Sequence, residues 1–175
     1  RLFIYDTNNN RVLIFNSLPT SNGATADVVV GQANFTSGSA NQGGSAGANT
    51  LAGGYGVFSD GTRLFITEFN NQRVLIYNTI PTSNNASADV VIGQPNFTST
   101  APNQGGSPAA NTVGGPMGVY SVGTKLFVAD AGNNRVLIYN TIPTSNNANA
   151  DVVVGQPDFT TTTPNTGGLG ANTLY

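Results

Sequence analysis

Apolar and polar residues alternate along this chain in short bursts, not in helical turns. RLFIYD (1–6), RVLIFN (11–16), KLFVAD (125–130) and RVLIYN (135–140) each stand between turn-forming Asn, Gly and Thr. Short runs rich in β-branched and aromatic residues, bounded in this way, predict strands. One unit contains four of them: GVYS (118–121), KLFVAD (125–130), RVLIYN (135–140) and DVVVG (151–155). Ser-Val-Gly (121–123) and Ala-Gly-Asn-Asn (131–134) read as the turns of the first two hairpins, and Pro-Thr-Ser-Asn-Asn-Ala (143–148) falls within the third connection.

The unit recurs. Arg73 to Asn85 (RVLIYNTIPTSNN) is repeated without change from Arg135 to Asn147, and Arg11 to Gly23 is a near copy, 62 residues apart each time. The same step relates Asp27, Asp89 and Asp151, the Gly-Gln pairs at Gly31, Gly93 and Gly155, and Phe35, Phe97 and Phe159. Three repeat units follow, 1–62, 63–124 and a shortened 125–175 of 51 residues, together about 2.8 copies. A four-stranded unit at fixed period, with Gly-rich turns, is the signature of a β-propeller built of four-stranded antiparallel blades. A right-handed parallel β-helix is the rival reading, but its rungs are much shorter than this period. Val57, Phe65, Leu75 and Val91 are expected between neighbouring blades, since one sheet cannot bury both its faces alone.

Composition narrows the chemistry. There is no Cys, His or Trp, only 8% of residues are charged, and Asn, Thr, Ser and Gly dominate, with 22 Gly and 9 Pro in 175 residues. Without thiol or imidazole, the usual nucleophile–base pairs and Cys/His metal sets are excluded, and no cofactor or metal ligand set is assigned. Six basic residues against eight acidic ones cannot neutralise a row of phosphates, so nucleic acid is excluded as a partner, as is an RNA-binding basic face. Apolar runs such as Val152 to Val154 are far too short to insert into a membrane. The chain reads as soluble, and its low charge and Asn/Thr richness fit an extracellular or cell-surface setting.

GPMGVYSVGTKLFVADAGNNRVLIYN (115–140) and GGYGVFSDGTRLFITEFNNQRVLIYN (53–78) resemble the NHL repeat, with its Gly-Val, apolar-Val-Ala-Asp and Asn-Arg-Val signature. The continuation ADVVVGQPDFTTTTPNTGG (150–168) resembles a long-loop subtype found in large bacterial proteins. The resemblance covers essentially the whole chain. It implies a propeller, often six-bladed, that binds instead of catalysing. Tyr5-Asp6-Thr7 and Thr67-Glu68-Phe69 depart from the Ala-Asp pattern, and no catalytic residue carries over.

Twelve of the fourteen charged residues occupy four places in the repeat: Arg1/Arg63/Lys125, Asp6/Glu68/Asp130, Arg11/Arg73/Arg135 and Asp27/Asp89/Asp151. A catalytic centre needs groups converging on one point, whereas these recur once per unit. Structural ion pairs are expected for Asp6 with Arg11, Glu68 with Arg73 and Asp130 with Arg135, each acid ending one strand and each Arg opening the next. On this reading Arg73→Ala costs a blade only modest stability. Asp130, Asn133 and Asn134 also have calcium-like spacing, though one acid per loop is little charge for a cation. Asp60-Gly61 reads as a turn.

Gln94 to Gly115 has no strand pattern, and loops of this length are usually functional or mobile. Its copies are Gln32 to Gly54 and Gln156 to Tyr175, and Phe97 with its equivalents is expected to anchor each by burial. Asn34, Asn85 and Asn96 open sequons, and Thr160, Thr161, Thr162 and Thr163 form the best O-linked candidate.

The leading expectation is a non-enzymatic scaffold or binding module whose partner is protein or glycan. The alternatives are a structural protein assembling into a fibre or surface layer through repeat-to-repeat contacts, and an enzyme of the lactonase or amidating-lyase type. About 2.8 units do not close a wheel of about four to eight blades. Either the residues belong to a longer array or copies assemble side by side, making further copies of the repeat a partner in both cases. The first unit lacks its innermost strand, so a strand from outside residues 1–175, resembling GVFS (56–59), is expected against Leu2 to Tyr5.

Overall fold

The computed structural model describes Arg1 to Tyr175. Its eleven strands are β1 (Leu2–Asp6), β2 (Arg11–Phe15), β3 (Val28–Val30), β4 (Val57–Ser59), β5 (Leu64–Glu68), β6 (Arg73–Tyr77), β7 (Val90–Ile92), β8 (Pro116–Val122), β9 (Lys125–Asp130), β10 (Arg135–Tyr139) and β11 (Val152–Val154). The protein is all-β, with only short 3-10 turns besides strands, and no helix is long and apolar enough to cross a membrane. The strands form three antiparallel meanders: β1-β2-β3, β4-β5-β6-β7 and β8-β9-β10-β11. They are blades 1, 2 and 3 of an incomplete wheel. The first strands of blades 2 and 3 lie together, β4 against β8, and β1, the equivalent of β5, lies beside β4, which places β4 and β8 on the inner side.

Sheet boundaries are offset by one strand from the repeat units. β4 lies in the first unit and β8 in the second, yet each is hydrogen-bonded to the strands of the following unit. Blade 1 therefore has three strands, and β1 is an edge with no neighbour on its inner side within the chain.

Alternation along each strand decides which face meets which blade. In β5 and β6, Leu64, Ile66, Leu75 and Tyr77 point toward blade 1 and join Val12, Ile14, Val28, Val30 and Leu51 in one core. Phe65, Val74 and Ile76 point the other way and join Leu126, Val128, Leu137 and Tyr139 in a second. Both strands are consequently buried along their whole length. Val57, Leu75 and Val91 thus pack on the blade 1 side and Phe65 on the blade 3 side. At about 1.5–3 kcal/mol per fully buried large apolar side chain, each twelve-residue core contributes on the order of tens of kcal/mol before chain entropy is subtracted.

Two local expectations shift. β8 runs from Pro116 to Val122, longer than GVYS, because a bulge between Pro116 and Gly118 lets it track β9 to its end. The turn is therefore Gly123-Thr124 instead of Ser-Val-Gly, with Gly123 at φ +58° supplying the left-handed backbone that a two-residue hairpin needs. The long segment 94–115 is also ordered. Its Asn103 N–H bonds Val113 O, and Gly93 bridges Thr112. Within it Asn103 and Gln104 both sit in the left-handed region, as Asn41 and Gln42 do in blade 1. That conformation costs a Gln about 1–2 kcal/mol. It is held because the Gln42 side-chain amide bonds Asn49 O and Asn85 Oδ1, and Gln104 bonds Asn111 O and Asn147 Oδ1.

Candidate functional site

The charged groups come first, since they carry most of the available chemistry. Asp6, Glu68 and Asp130 stand directly opposite Arg11, Arg73 and Arg135 across a hairpin. The Arg Nε donates to the carboxylate at 2.8, 2.5 and 2.7 Å respectively. In blades 2 and 3 both partners are fully buried, whereas in blade 1 the side chains keep 17% and 26% of their exposure.

The guanidinium does more than pair with its acid. Arg73 Nη1 donates to Phe97 O in its own blade's loop, and Nη2 reaches back to blade 1's loop, to Gly47 O at 3.0 Å and Thr50 O at 3.1 Å. Arg135 repeats this with Phe159 O, Ala109 O and Thr112 O. The acids complete the clip: Ala52 N–H donates to Glu68 Oε1 and Gly114 N–H to Asp130 Oδ1. Asn71 and Asn133 donate to the same carboxylates and exchange reciprocal amide bonds with Asn41 and Asn103 of the preceding blade's loop. One fixed ion pair thus fastens each blade to its predecessor. Burial pushes the Glu68 and Asp130 carboxyls above their ordinary values, against the pull of the neighbouring Arg and Asn donors. Asp6 is held below its ordinary value, because the Asn9 and Arg11 hydrogen bonds together outweigh its slight burial.

This geometry corrects the modest cost expected for losing Arg73. A guanidinium with no exposure and four bonding partners leaves a buried carboxylate uncompensated when removed. The calcium-like spacing of Asp130, Asn133 and Asn134 resolves in the same way. Asp130 is filled by Gly114 N–H, Asn133 and Arg135, and the Asn134 amide donates to Thr162 O, so a cation there would have to displace a buried guanidinium.

The other acids shape turns. Asp27, Asp89 and Asp151 accept from the N–H of Asn16, Asn78 and Asn140. Asp60 accepts from the N–H of Thr62 and Arg63, which outweigh its partial burial and hold it below the ordinary range.

Sequon residues fall into two environments. Asn34 and Asn96 are exposed, and each Oδ1 accepts from the backbone and hydroxyl groups two and three residues on, Thr36 with Ser37 and Thr98 with Ser99. Asp158 does the same for Thr160 and Thr161, which lowers its carboxyl to about 2. Asn85 differs: it is half-buried at φ +61°, and its Oδ1 takes Gln42 and Asn49 across the blade interface. Thr160 and Thr163 are exposed, while Thr161 and Thr162 are half-buried.

Beside these turns lies a polar cleft that the chain builds twice. In blade 1, Gln32, Thr36, Ser37, Ser39 and Gln42 line a cavity of about 320 Å³. In blade 2, Gln94, Thr98, Ser99, Thr100 and Gln104 line one of about 330 Å³. Each floor is a buried Gln whose amide nitrogen is tied to two carbonyls, Asn10 O and Ser39 O for Gln32, Gln72 O and Ala101 O for Gln94. Its Oε1 has no partner. In blade 3 Thr166 donates to the equivalent Gln156 Oε1 and fills that position.

Sequence reasoning passed over Gln32, Gln94 and the inter-blade Asn pairs. Their only signal was recurrence at the 62-residue step inside loops that read as irregular. The chain matches no known family model and no curated protein.

Proposed function

We propose that this chain is a non-enzymatic NHL-repeat propeller module that binds glycan or protein outside the cell as a scaffold. The carrying observation is the polar cleft repeated on adjacent blades, lined by hydroxyl and amide groups and free of charged side chains. Such groups match sugar hydroxyls, and two equivalent clefts suit a ligand with its own repeat. The buried ion pairs support the same reading, because each holds one blade to the next and leaves no carboxylate pair converging on a reacting atom.

A glycan array probed with the purified chain tests this, followed by titration of any hit against Thr98→Val. The reading expects saturable binding that weakens in the variant while the folded spectrum is unchanged. Metal-dependent lactone hydrolysis by the purified chain, or binding indifferent to both clefts, would contradict it.

A further inference from the structure

Each polar cleft has an exposed apolar residue beside it. Tyr55 is 59% exposed and Met117 45% exposed, at equivalent places in successive repeats. Single exposed apolar side chains are ordinary, but these two recur at one position and adjoin the clefts. In blade 1 the link is Asn10: its carbonyl accepts from the Gln32 amide, its own amide donates to Gly38 O, and its Oδ1 accepts from Gly53 N–H, two residues before Tyr55. Gln32 and Gly38 are both part of the cleft. Gln72 plays this part in the next copy, where its carbonyl accepts from the Gln94 amide and its Oε1 from Gly115 N–H, two residues before Met117.

The apolar residues also join each other along the inner rim. Tyr55 meets Phe69 edge to face, with ring centroids 5.9 Å apart. A Cβ on Gly115 would lie 3.0 Å from Phe69, and one on Gly56 would lie 2.7 Å from Met117 O, so the two segments run in close contact. Tyr55, Phe69 and Met117 therefore form one apolar strip that both clefts adjoin. The blade 2 cleft keeps its opening with a blade packed on either side, so the pairing of cleft and strip belongs to the repeat.

A ligand for this surface must offer hydroxyls and an uncharged C–H face together. The clefts are lined by hydroxyl and amide groups and carry no charged side chain. Blade 3 supplies a hydroxyl of its own at the equivalent place: Thr166 Oγ1 lies 2.8 Å from Gln156 Oε1, whereas the matching Gln32 and Gln94 oxygens have no partner. The face of an aromatic ring is negative, so it attracts polarised C–H groups and repels carboxylate or phosphate. Pyranose rings carry hydroxyls at the edge and C–H groups on a face, which is the combination required. We propose, resting on the glycan-binding reading above, that the occupant is a neutral glycan chain, with a sugar ring stacked on Tyr55 and hydroxyls of the same chain in the adjoining clefts. Tyr55 is then a specificity-determining residue, and acidic glycans are rejected.

Isothermal titration of the 175-residue chain with neutral manno-, gluco-, xylo- and galacto-oligosaccharides, and with oligogalacturonate as the acidic comparison, tests the proposal on the wild type, Tyr55→Ala, Tyr55→Phe and Thr98→Val. Tyr55 is largely exposed, so its variants keep the wild-type circular dichroism spectrum. The expected results are saturable binding of a neutral series and none of oligogalacturonate, with a dissociation constant raised about threefold to tenfold by Tyr55→Ala and unchanged by Tyr55→Phe. Binding that survives Tyr55→Ala but weakens in Thr98→Val overturns this proposal and leaves the clefts as the binding site. Equal losses in Tyr55→Ala and Tyr55→Phe overturn it as well, since the phenol hydroxyl and not the ring face would be the contact. So does binding of oligogalacturonate alone. Absence of binding by every oligosaccharide also overturns it, and leaves protein as the ligand of the module.

Discussion

Arg73 and Glu68 form an ion pair without any exposure to water, while their counterparts Arg11 and Asp6 remain partly exposed. The difference follows from position in the stack: blade 1's loop closes over Arg73, whereas Arg11 bonds only the loop of its own blade, at Phe35 O. Buried pairs are weak net stabilisers but costly to break. Arg73→Ala should therefore lose about 3–5 kcal/mol, and Arg11→Ala about 1 kcal/mol or less. Urea denaturation of the two variants measures the contrast, and equal losses would mean that the inter-blade clip is not what Arg73 provides.

Tyr77 and Tyr139 occupy the position held by Phe15 in blade 1, and neither hydroxyl has a partner within the protein. Burial raises both phenols far above their ordinary value. A buried hydroxyl with no partner is a liability of about 1–3 kcal/mol. Tyr139→Phe should accordingly match the wild type or exceed it by about 1 kcal/mol in denaturant unfolding. A loss of similar size would reveal a hydrogen bond to ordered water.

Asp158 sits where the other repeats have Asn34 and Asn96, and all three accept the same turn bonds. Its carboxyl is lowered to about 2 by those donors, Thr160 foremost. A depressed folded value means the stabilisation is present above the unfolded value near 3.9 and is lost as pH falls toward about 2. Relative to wild type, Asp158→Asn should be slightly less stable at pH 7 and should lose that deficit by pH near 2. Melting temperatures of both proteins across this interval are the check. A gap that does not change with pH would show that the carboxylate is not held by the turn.

Gly93 and Gly61 separate backbone strain from crowding. Both have positive φ, +85° and +94°, but a Cβ on Gly93 would lie 2.4 Å from Val113 Cγ2 whereas one on Gly61 meets nothing within 4 Å. Gly61→Ala should cost about 1–3 kcal/mol from conformation alone. Gly93→Ala should cost a further 1–3 kcal/mol or so from overpacking the loop against β7. Equal losses in thermal unfolding would place the loop elsewhere.

Much of this fold was legible because it is written three times. The strands KLFVAD and RVLIYN coincide with β9 and β10 to within a residue, since alternating apolar residues and flanking Asn-rich turns agree there. The long loops were not legible. Asn41, Gln42, Asn103 and Gln104 take left-handed conformations that no local preference of Gln indicates, and they bond partners 30 to 43 residues away. Arg73 hid its larger role for a similar reason: its Glu68 partner lies five residues off on a hairpin, but Gly47 and Thr50 belong to another blade. Tertiary contacts of this range leave no periodic trace except their own recurrence.

Face-to-face docking of the blades predicts protection where the sequence alone suggests freedom. Asn85 and Asn147 lie in Pro-Thr-Ser-Asn-Asn loops, yet their amides donate to Val29 O and Val91 O of the preceding blade, each at 3.0 Å. Native-state hydrogen exchange of these two amides is the most direct measurement of that docking. Slowed exchange at both, relative to Asn22 and Gly23 in the corresponding loop of blade 1, is the expected result. Exchange of Asn85 and Asn147 at the rate of an unstructured peptide would contradict the stacked-blade account.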